Sequence, residues 1–217
     1  PELINTYIVV RDHVEELIGQ LQKLEKEYFS RPESLRKDHF LKIRSEEAAD
    51  PVSRAARMIY LNRTCYNGLY RVNRKGQFNV PFGRYRRPAI CDERRLRLAS
   101  KALQDKHITV RDFRTVINFA GRGDFIYFDP PYHPLNETAY FTAYTDAGFN
   151  ERDQRDLALV ARELVKKGCK VMISNADTPF IREIYHGFRF IEIKARRNIN
   201  CRPDRRGIIN ELLILSY

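Results

Sequence analysis

The stretch Asp124-Phe125-Ile126-Tyr127-Phe128 runs directly into Asp129-Pro130-Pro131-Tyr132, and this junction restricts the fold more than any other part of the chain. A short run rich in aromatic and branched residues reads as a strand buried on both sides. Two successive prolines then fix φ and remove two N–H donors, so the chain leaves the strand on a rigid path. A strand with a rigid polar exit fits an open α/β sheet, where ligands sit beyond the carboxyl ends of strands.

The flanking patterns agree with such a sheet. Residues 151–167 carry Leu157, Leu159, Val160, Leu164 and Val165 at helical spacing, and Gly168 is a plausible stop. Lys170-Val171-Met172-Ile173-Ser174 reads as the next strand, and Thr178 to His186 as a short helix. Phe188–Lys194 and Ile208–Leu215 read as two closing strands, antiparallel across a loop at Pro203-Asp204. His107-Ile108-Thr109-Val110 reads as a short strand ahead of the junction. Strand–helix–strand alternation predicts an α/β fold.

The first half is built differently. Leu3, Ile4, Tyr7, Ile8, Val14, Leu17, Ile18, Leu21 and Leu24 predict one amphipathic helix over about residues 2–28. A domain that starts on a helix edge predicts further sequence upstream of Pro1. Residues 33–104 read as a polar, mainly helical insertion with a loop-like centre from Asn67 to Pro88. Between Arg54 and Arg97 stand twelve Lys and Arg against two acids, Asp92 and Glu93, which is nearly the whole formal charge of +11. A solvated helix face usually mixes both signs, so this run reads as a surface for a polyanion. No apolar run approaches the roughly 20 residues that span a bilayer, and the expectation is a cytoplasmic protein, nucleoid-associated in a prokaryote or a phage-infected cell. Cys65, Cys91, Cys169 and Cys201 stand singly, which predicts reduced thiols and no metal site. His133 stands beside the junction, within reach of a substrate, and His186 near a helix end.

The junction also has a chemistry. The Pro130 carbonyl and the Asp129 carboxylate are two acceptors side by side, and Tyr132 adds an aromatic face. Two acceptors suit the two hydrogens of an exocyclic amino group. Its lone pair is delocalised into the ring, and binding both hydrogens draws the nitrogen toward sp³ geometry and nucleophilicity. An ordinary Asp-Pro-Pro turn at a strand end is the competing reading.

Longer blocks resolve that choice. Asn62-Arg63-Thr64-Cys65-Tyr66-Asn67-Gly68-Leu69-Tyr70-Arg71-Val72-Asn73 and Phe78-Asn79-Val80-Pro81-Phe82-Gly83-Arg84-Tyr85 precede Asp129–Tyr132. Phe141-Thr142-x-Tyr144 and Ser174-Asn175-Ala176-Asp177 follow it. In these blocks and their order the chain resembles the Dam-type, D12-class family of DNA adenine-N6 methyltransferases over essentially its whole length.

The resemblance implies a Rossmann-like S-adenosylmethionine-dependent methyltransferase sheet, with residues 1–32 and 105–217 catalytic and residues 33–104 a helical target-recognition domain. It implies S-adenosylmethionine as methyl donor and duplex DNA as partner; the scattered cysteines predict no metal, and a monomer on DNA is the default state. Asp129, Pro130, Pro131 and Tyr132 would be catalytic. Asp112, Phe113 and Asp129 would meet the cofactor, with Phe113 on its adenine ring. Leu69, Arg71 and Pro81 would read bases, and Asn67 would fill the opened duplex. Tyr85 would touch base or backbone, while Asn73, Arg84, Arg86 and Arg87 would hold phosphates; for Arg86, Arg87, Arg94 and Arg95 a merely solvated face is the alternative. Relatives with these blocks recognise GATC, which is the expected target. Arg196-Arg197, Arg202 and Arg205-Arg206 would line a DNA cleft or a surface loop. The family's F-x-G-x-G cofactor loop occurs nowhere in the 217 residues. Its absence predicts missing first strands, and keeps open a DNA-binding module without catalysis. An amino methyltransferase acting on cytosine N4 or on RNA is the other alternative.

Overall fold

A computed structural model describes residues 2–73, 75–135, 149–196 and 208–217. Phe141, Thr142, Tyr144, Arg197, Cys201, Arg202, Pro203, Asp204, Arg205 and Arg206 lie outside the described residues. The chain forms two compact units, Pro1–Val110 and Arg111–Tyr217.

The first unit is helical. It contains α1 (Glu2–Asp12), α2 (Val14–Ser30), α3 (Glu33–Ser45), α4 (Pro51–Thr64) and α5 (Glu93–Leu103). The single helix expected over residues 2–28 is two helices. His13 leaves helical geometry with φ −133° and ψ 37°, which bends the chain between them. Leu17 and Leu21 of α2 join Val9 and Val10 of α1 in the same core. Tyr28, Phe40, Ala55, Ala56, Tyr60 and Leu61 complete that core. Helix α4 begins with Pro51 in its first turn, and the Asp50 carboxylate accepts from the Ser53 N–H, 2.9 Å away. An N-terminal proline with an acidic cap is a strong helix start.

An arm runs between α4 and α5. A short 3₁₀ turn at Tyr66–Gly68 opens it, and isolated bridges pair Cys65 with Phe82 and Val72 with Phe78. The arm thus folds back on itself through bridged backbone segments rather than running as an open loop.

The second unit carries the sheet. After a 3₁₀ turn at Phe113–Asn118 come β1 (Phe125–Phe128), α6 (Glu151–Lys166), β2 (Lys170–Ala176), α7 (Pro179–Ile184), β3 (Arg189–Arg196) and β4 (Ile208–Leu215). The strand order is β1-β2-β4-β3, with β1 and β2 parallel and β4 antiparallel to both neighbours. The mixed α/β class and the antiparallel closing pair follow the sequence expectation. Helix α6 starts on an Asn150–Asp153 capping box. It buries Ala158, Val160, Ala161 and Leu164 in one core with Val171, Ile173, Leu212 and Ile214. Leu159 and Val165 point away from that face, contrary to the pattern taken from the sequence.

Two further expectations fail. Residues 107–110 form no strand: alternation makes a sheet face, but a strand also needs a partner, and none of the described residues pairs with them. Strand β1 is not buried on both sides. Phe125 and Tyr127 are 56% and 51% exposed, because only Ile126 and Phe128 face the helix-covered side.

Candidate active site and recognition arm

Strand β1 ends at Phe128, whose register partner on β2 is Ile173. Strand β2 continues to Ala176, so Ser174 and Asn175 stand alongside the departing Asp129-Pro130-Pro131 segment. Strand β4 runs the opposite way, and Glu211, opposite Ala176, lies at the same end of the sheet. The carboxyl ends of β1 and β2 and the first half of β4 therefore lie where the junction leaves the fold.

The contacts there are side-chain contacts. The Ser174 hydroxyl donates to one Asp129 carboxylate oxygen at 2.6 Å, and the Tyr127 hydroxyl donates to Ser174 at 3.0 Å. The Gln154 amide of α6 donates to the Pro131 carbonyl at 2.8 Å. The fully buried Asn175 donates to the Gln154 oxygen at 3.1 Å and accepts from the His133 N–H at 2.9 Å. The Tyr132 hydroxyl lies 3.5 Å from Glu211. Burial pushes the Tyr132 phenol above its ordinary pKa; a hydrogen bond with Ser174 opposes this, and the nearby Glu211 and Asp129 charges reinforce it. Tyr132 is therefore a neutral phenol at physiological pH.

His133 is turned into the framework. Its ring stacks on Phe180 at 4.6 Å, its Nδ1 meets the Thr178 hydroxyl at 3.1 Å, and its Nε2 lies 3.5 Å from Glu151. Asp112 and Phe113 open the 3₁₀ turn ahead of β1. The Asp112 carboxylate caps that turn through the Arg114 N–H and pairs with the Arg114 guanidinium at 3.0 Å. Arg114 also reaches Asp153 at 2.8 Å and Asp156 at 2.7 Å, so three carboxylates hold it charged. Phe113 is half-buried, 5.6 Å from Phe149 and packed against the core of the sheet. Helix α6 thus anchors the 112–114 turn through Arg114 and the junction through Gln154.

The arm presents the other sequence-derived residues. The Tyr66 N–H donates to Pro81 and the Gly83 N–H to Thr64, both at 2.8 Å. Asn67 has a left-handed φ of 54° and its N–H donates to the Tyr85 hydroxyl at 3.1 Å. A Cβ on Gly83 would lie 2.5 Å from the Cys65 carbonyl oxygen, so glycine is required for this approach. Arg71 is exposed, and its guanidinium grips Asn79 through the side-chain oxygen at 2.7 Å and the carbonyl at 3.1 Å. Asn73 shapes the arm's tip: its side-chain oxygen accepts from the N–H groups of Lys75 and Gln77. Leu69 packs partly into the helical core, while Pro81 and Arg84 are exposed. The Tyr85 carbonyl accepts from the Tyr28 hydroxyl at 2.7 Å, and Arg86 sits 3.4 Å from Glu33.

Gln154, Tyr127 and Glu211 had no role at the site in the sequence reading, and Ser174-Asn175 had none beyond their strand and block. One signal was available: Gln154 lies on the same helix face as Leu157, Ala158 and Ala161, and a polar residue there must have a buried partner. Among the described residues no cluster could hold a metal ion, and no helix is long and apolar enough to cross a membrane. Cys65, Cys91 and Cys169 are free thiols.

Comparison with known proteins adds the chemistry. Residues 1–199 match the model of the D12 class N6 adenine-specific DNA methyltransferases. Over its whole length the chain is 45% identical to the Type II methyltransferase M.MjaIII of Methanocaldococcus jannaschii, covering 77% of that protein. It is 39% identical, again over its whole length, to the Type II methyltransferase M1.LlaDCHI of Lactococcus lactis subsp. cremoris, covering 76% of it. It is 37% identical over 99% of its length to a DNA adenine methylase of Serratia marcescens, covering 78% of it. The chain belongs to the D12 class of N6 adenine-specific DNA methyltransferases.

Proposed function

We propose that the chain transfers a methyl group from S-adenosylmethionine to adenine N6 in duplex DNA, at GATC, with the target base turned out of the helix. The observation that carries this reading is the placement of Asp129 at the carboxyl end of β1, with one carboxylate oxygen fixed by Ser174. The second oxygen and the Pro130 carbonyl are then two acceptors at one rigid point. They bind the two N6 hydrogens and aim the nitrogen lone pair along a single line. Tyr132, half-buried and neutral, gives the extruded base a face to stack on. Asp129 need not be a strong base, since the proton can leave after the new N–C bond has formed.

The residues present fit part of a cofactor pocket. Phe113 offers a fixed ring at the start of the 3₁₀ turn, and Asp112 is half-exposed with lone pairs beyond those that Arg114 uses. These two and Asp129 would hold the donor, whose sulfonium supplies an electrophilic methyl.

Residues 33–104 are the proposed recognition domain, and residues 1–32 and 105–217 the catalytic domain; α1 and α2 are built into the helical unit by packing on α4 and α5. Arg71 is the proposed reader of guanine, because a bidentate guanidinium matches guanine O6 and N7. Leu69, Pro81, Asn67 and Tyr85 would border the opened duplex. Arg84, Arg86 and Asn73 would meet phosphates, Asn73 through the turn it shapes. A monomer on DNA is the proposed working state.

Replacing Asp129 by Ala tests the reading. Methylation of a GATC duplex should fall by at least about 10³-fold, the scale on which key polar groups of active sites act. DNA affinity should stay within about threefold. A variant that still methylates would overturn the assignment.

A further inference from the structure

Asp129-Pro130-Pro131 presents a problem that its own backbone does not solve. Neither proline has an N–H, so this segment cannot be laced to β2 as β1 is. Strand β2 nevertheless runs past the end of β1, with Ser174 and Asn175 flanking the segment. Successive residues of a strand point to opposite faces. Ser174 shares a face with Tyr127 and meets the Asp129 carboxylate there. Asn175 shares the other face with Val171 and Ile173, all fully buried under α6, and meets Gln154 and His133 there.

We propose that Ser174, Asn175 and Gln154 are positioning residues that clamp the catalytic segment from both faces of β2. This rests on Asp129 and Pro130 being the acceptors for the amino group. Ser174 sets the rotation of the Asp129 carboxylate. Asn175 and Gln154 set the Pro131 peptide, and through it the direction of the Pro130 carbonyl one peptide earlier.

The amide relay has a fixed sense. The His133 N–H is a donor only, so the Asn175 oxygen must face it, as it also faces the Ala176 N–H. The Asn175 nitrogen then faces Gln154, whose oxygen accepts. That leaves the Gln154 nitrogen for the Pro131 carbonyl, which is an acceptor only. A donor at one end and an acceptor at the other allow each amide one orientation. Gln154 and Asn175 are 2% and 0% exposed, so water does not replace a lost partner without rearrangement.

The test uses Ser174→Ala, Gln154→Leu and Gln154→Glu in the full chain, with Asp129→Ala alongside, and reads kcat and KM for DNA separately. A misplacement of about 1 Å costs on the order of 10²-fold in rate. Gln154→Leu should lower kcat on that scale and Ser174→Ala about tenfold, each with KM for DNA within about twofold. Gln154→Glu supplies the readout that a simple packing role would not move. An ionised carboxylate would face the Pro131 carbonyl with a second acceptor, whereas the protonated acid restores the donor. Its kcat relative to the parent should therefore be low at pH 8 and recover as pH falls toward 6, because burial raises a carboxyl pKa. That recovery keeps the test decisive even where Gln154→Leu fails to fold. Ser174→Ala and Gln154→Leu with kcat within twofold of the parent, or Gln154→Glu tracking it at every pH, would overturn the clamp while a dead Asp129→Ala leaves the reading of the segment intact. An active Asp129→Ala would instead remove the reading on which the clamp rests.

Discussion

The junction after β1 and the arm between α4 and α5 are both polar excursions from a packed frame, and they are held in opposite ways. Prolines bar the junction from backbone pairing, so its partners are side chains of Gln154, Ser174 and Asn175, 23 to 45 positions away in sequence. The arm is paired to itself by backbone bonds between Tyr66 and Pro81, Gly83 and Thr64, Asn73 and Gln77, and Asn79 and Arg71. A loop held by distant side chains has its geometry set by the whole unit. An arm held chiefly by its own backbone is a local module, with Asn73 at its tip and the Arg71–Asn79 pair as side-chain supports. The first arrangement suits invariant chemistry, and the second suits a changeable target sequence.

The sharpest way to break this contrast is Gly83→Ala. The added Cβ would meet the Cys65 carbonyl at 2.5 Å and the Tyr85 ring at 2.6 Å. The ring can swing, but the carbonyl belongs to the bridge that closes the arm. Overpacking of this kind costs about 1–3 kcal/mol. DNA affinity should fall about tenfold or more, while the second unit keeps its own melting transition. Unchanged affinity would mean that backbone pairing does not hold the arm in its binding shape.

Arg71→Ala tests the arm's other half, the side chains that its backbone displays. Loss of a bidentate guanine contact costs about 1–3 kcal/mol of discrimination against the wrong base. Competition between a GATC duplex and one with the guanine replaced should show selectivity falling toward one. Arg84→Ala should act differently, weakening all duplexes alike and lowering the salt slope of binding by about one. Two variants with the same profile would erase the division between reading and holding.

How much of this was legible in the sequence follows the same contrast. The junction stood out because aromatic residues followed by two prolines have few structural uses. The hairpin of β3 and β4 and the helix before β2 were visible as periodic patterns. Periodicity passed over His13, because Tyr7, Ile8, Val14, Leu17 and Ile18 keep helical spacing across a break made by a single residue's φ and ψ, and it missed Val9 and Val10, which α1 buries while Leu3 and Tyr7 stay exposed. It also overstated residues 107–110, since alternation describes a face and not a partner. The clamp was hidden for a related reason: Asn175 and Gln154 are ordinary amides until the fold brings them 3.1 Å apart.

A smaller effect bears on the frame beneath the arm. His39 of α3 is buried edge-on against Tyr60, with ring centroids 5.8 Å apart, and its Nε2 has no hydrogen-bond partner among the described residues. Burial lowers its pKa, Arg31 and Lys42 push the same way, and Glu27, 3.7 Å off, and Glu46 oppose them. A base with a lowered folded pKa is neutral in the fold, while the unfolded chain takes up the proton first. Its contribution to stability is therefore full above the ordinary imidazole value of about 6.5 and declines as pH falls through it. The carboxylates held down by partners in the same unit, Asp12, Glu15 and Asp50, start from lower ordinary values and lose stability only under more acid conditions. Between pH 7 and 5 the helical unit should lose a few degrees of melting temperature, and His39→Gln should flatten that slope. A slope unchanged by His39→Gln would remove His39 as the group that makes the frame beneath the arm sensitive to pH.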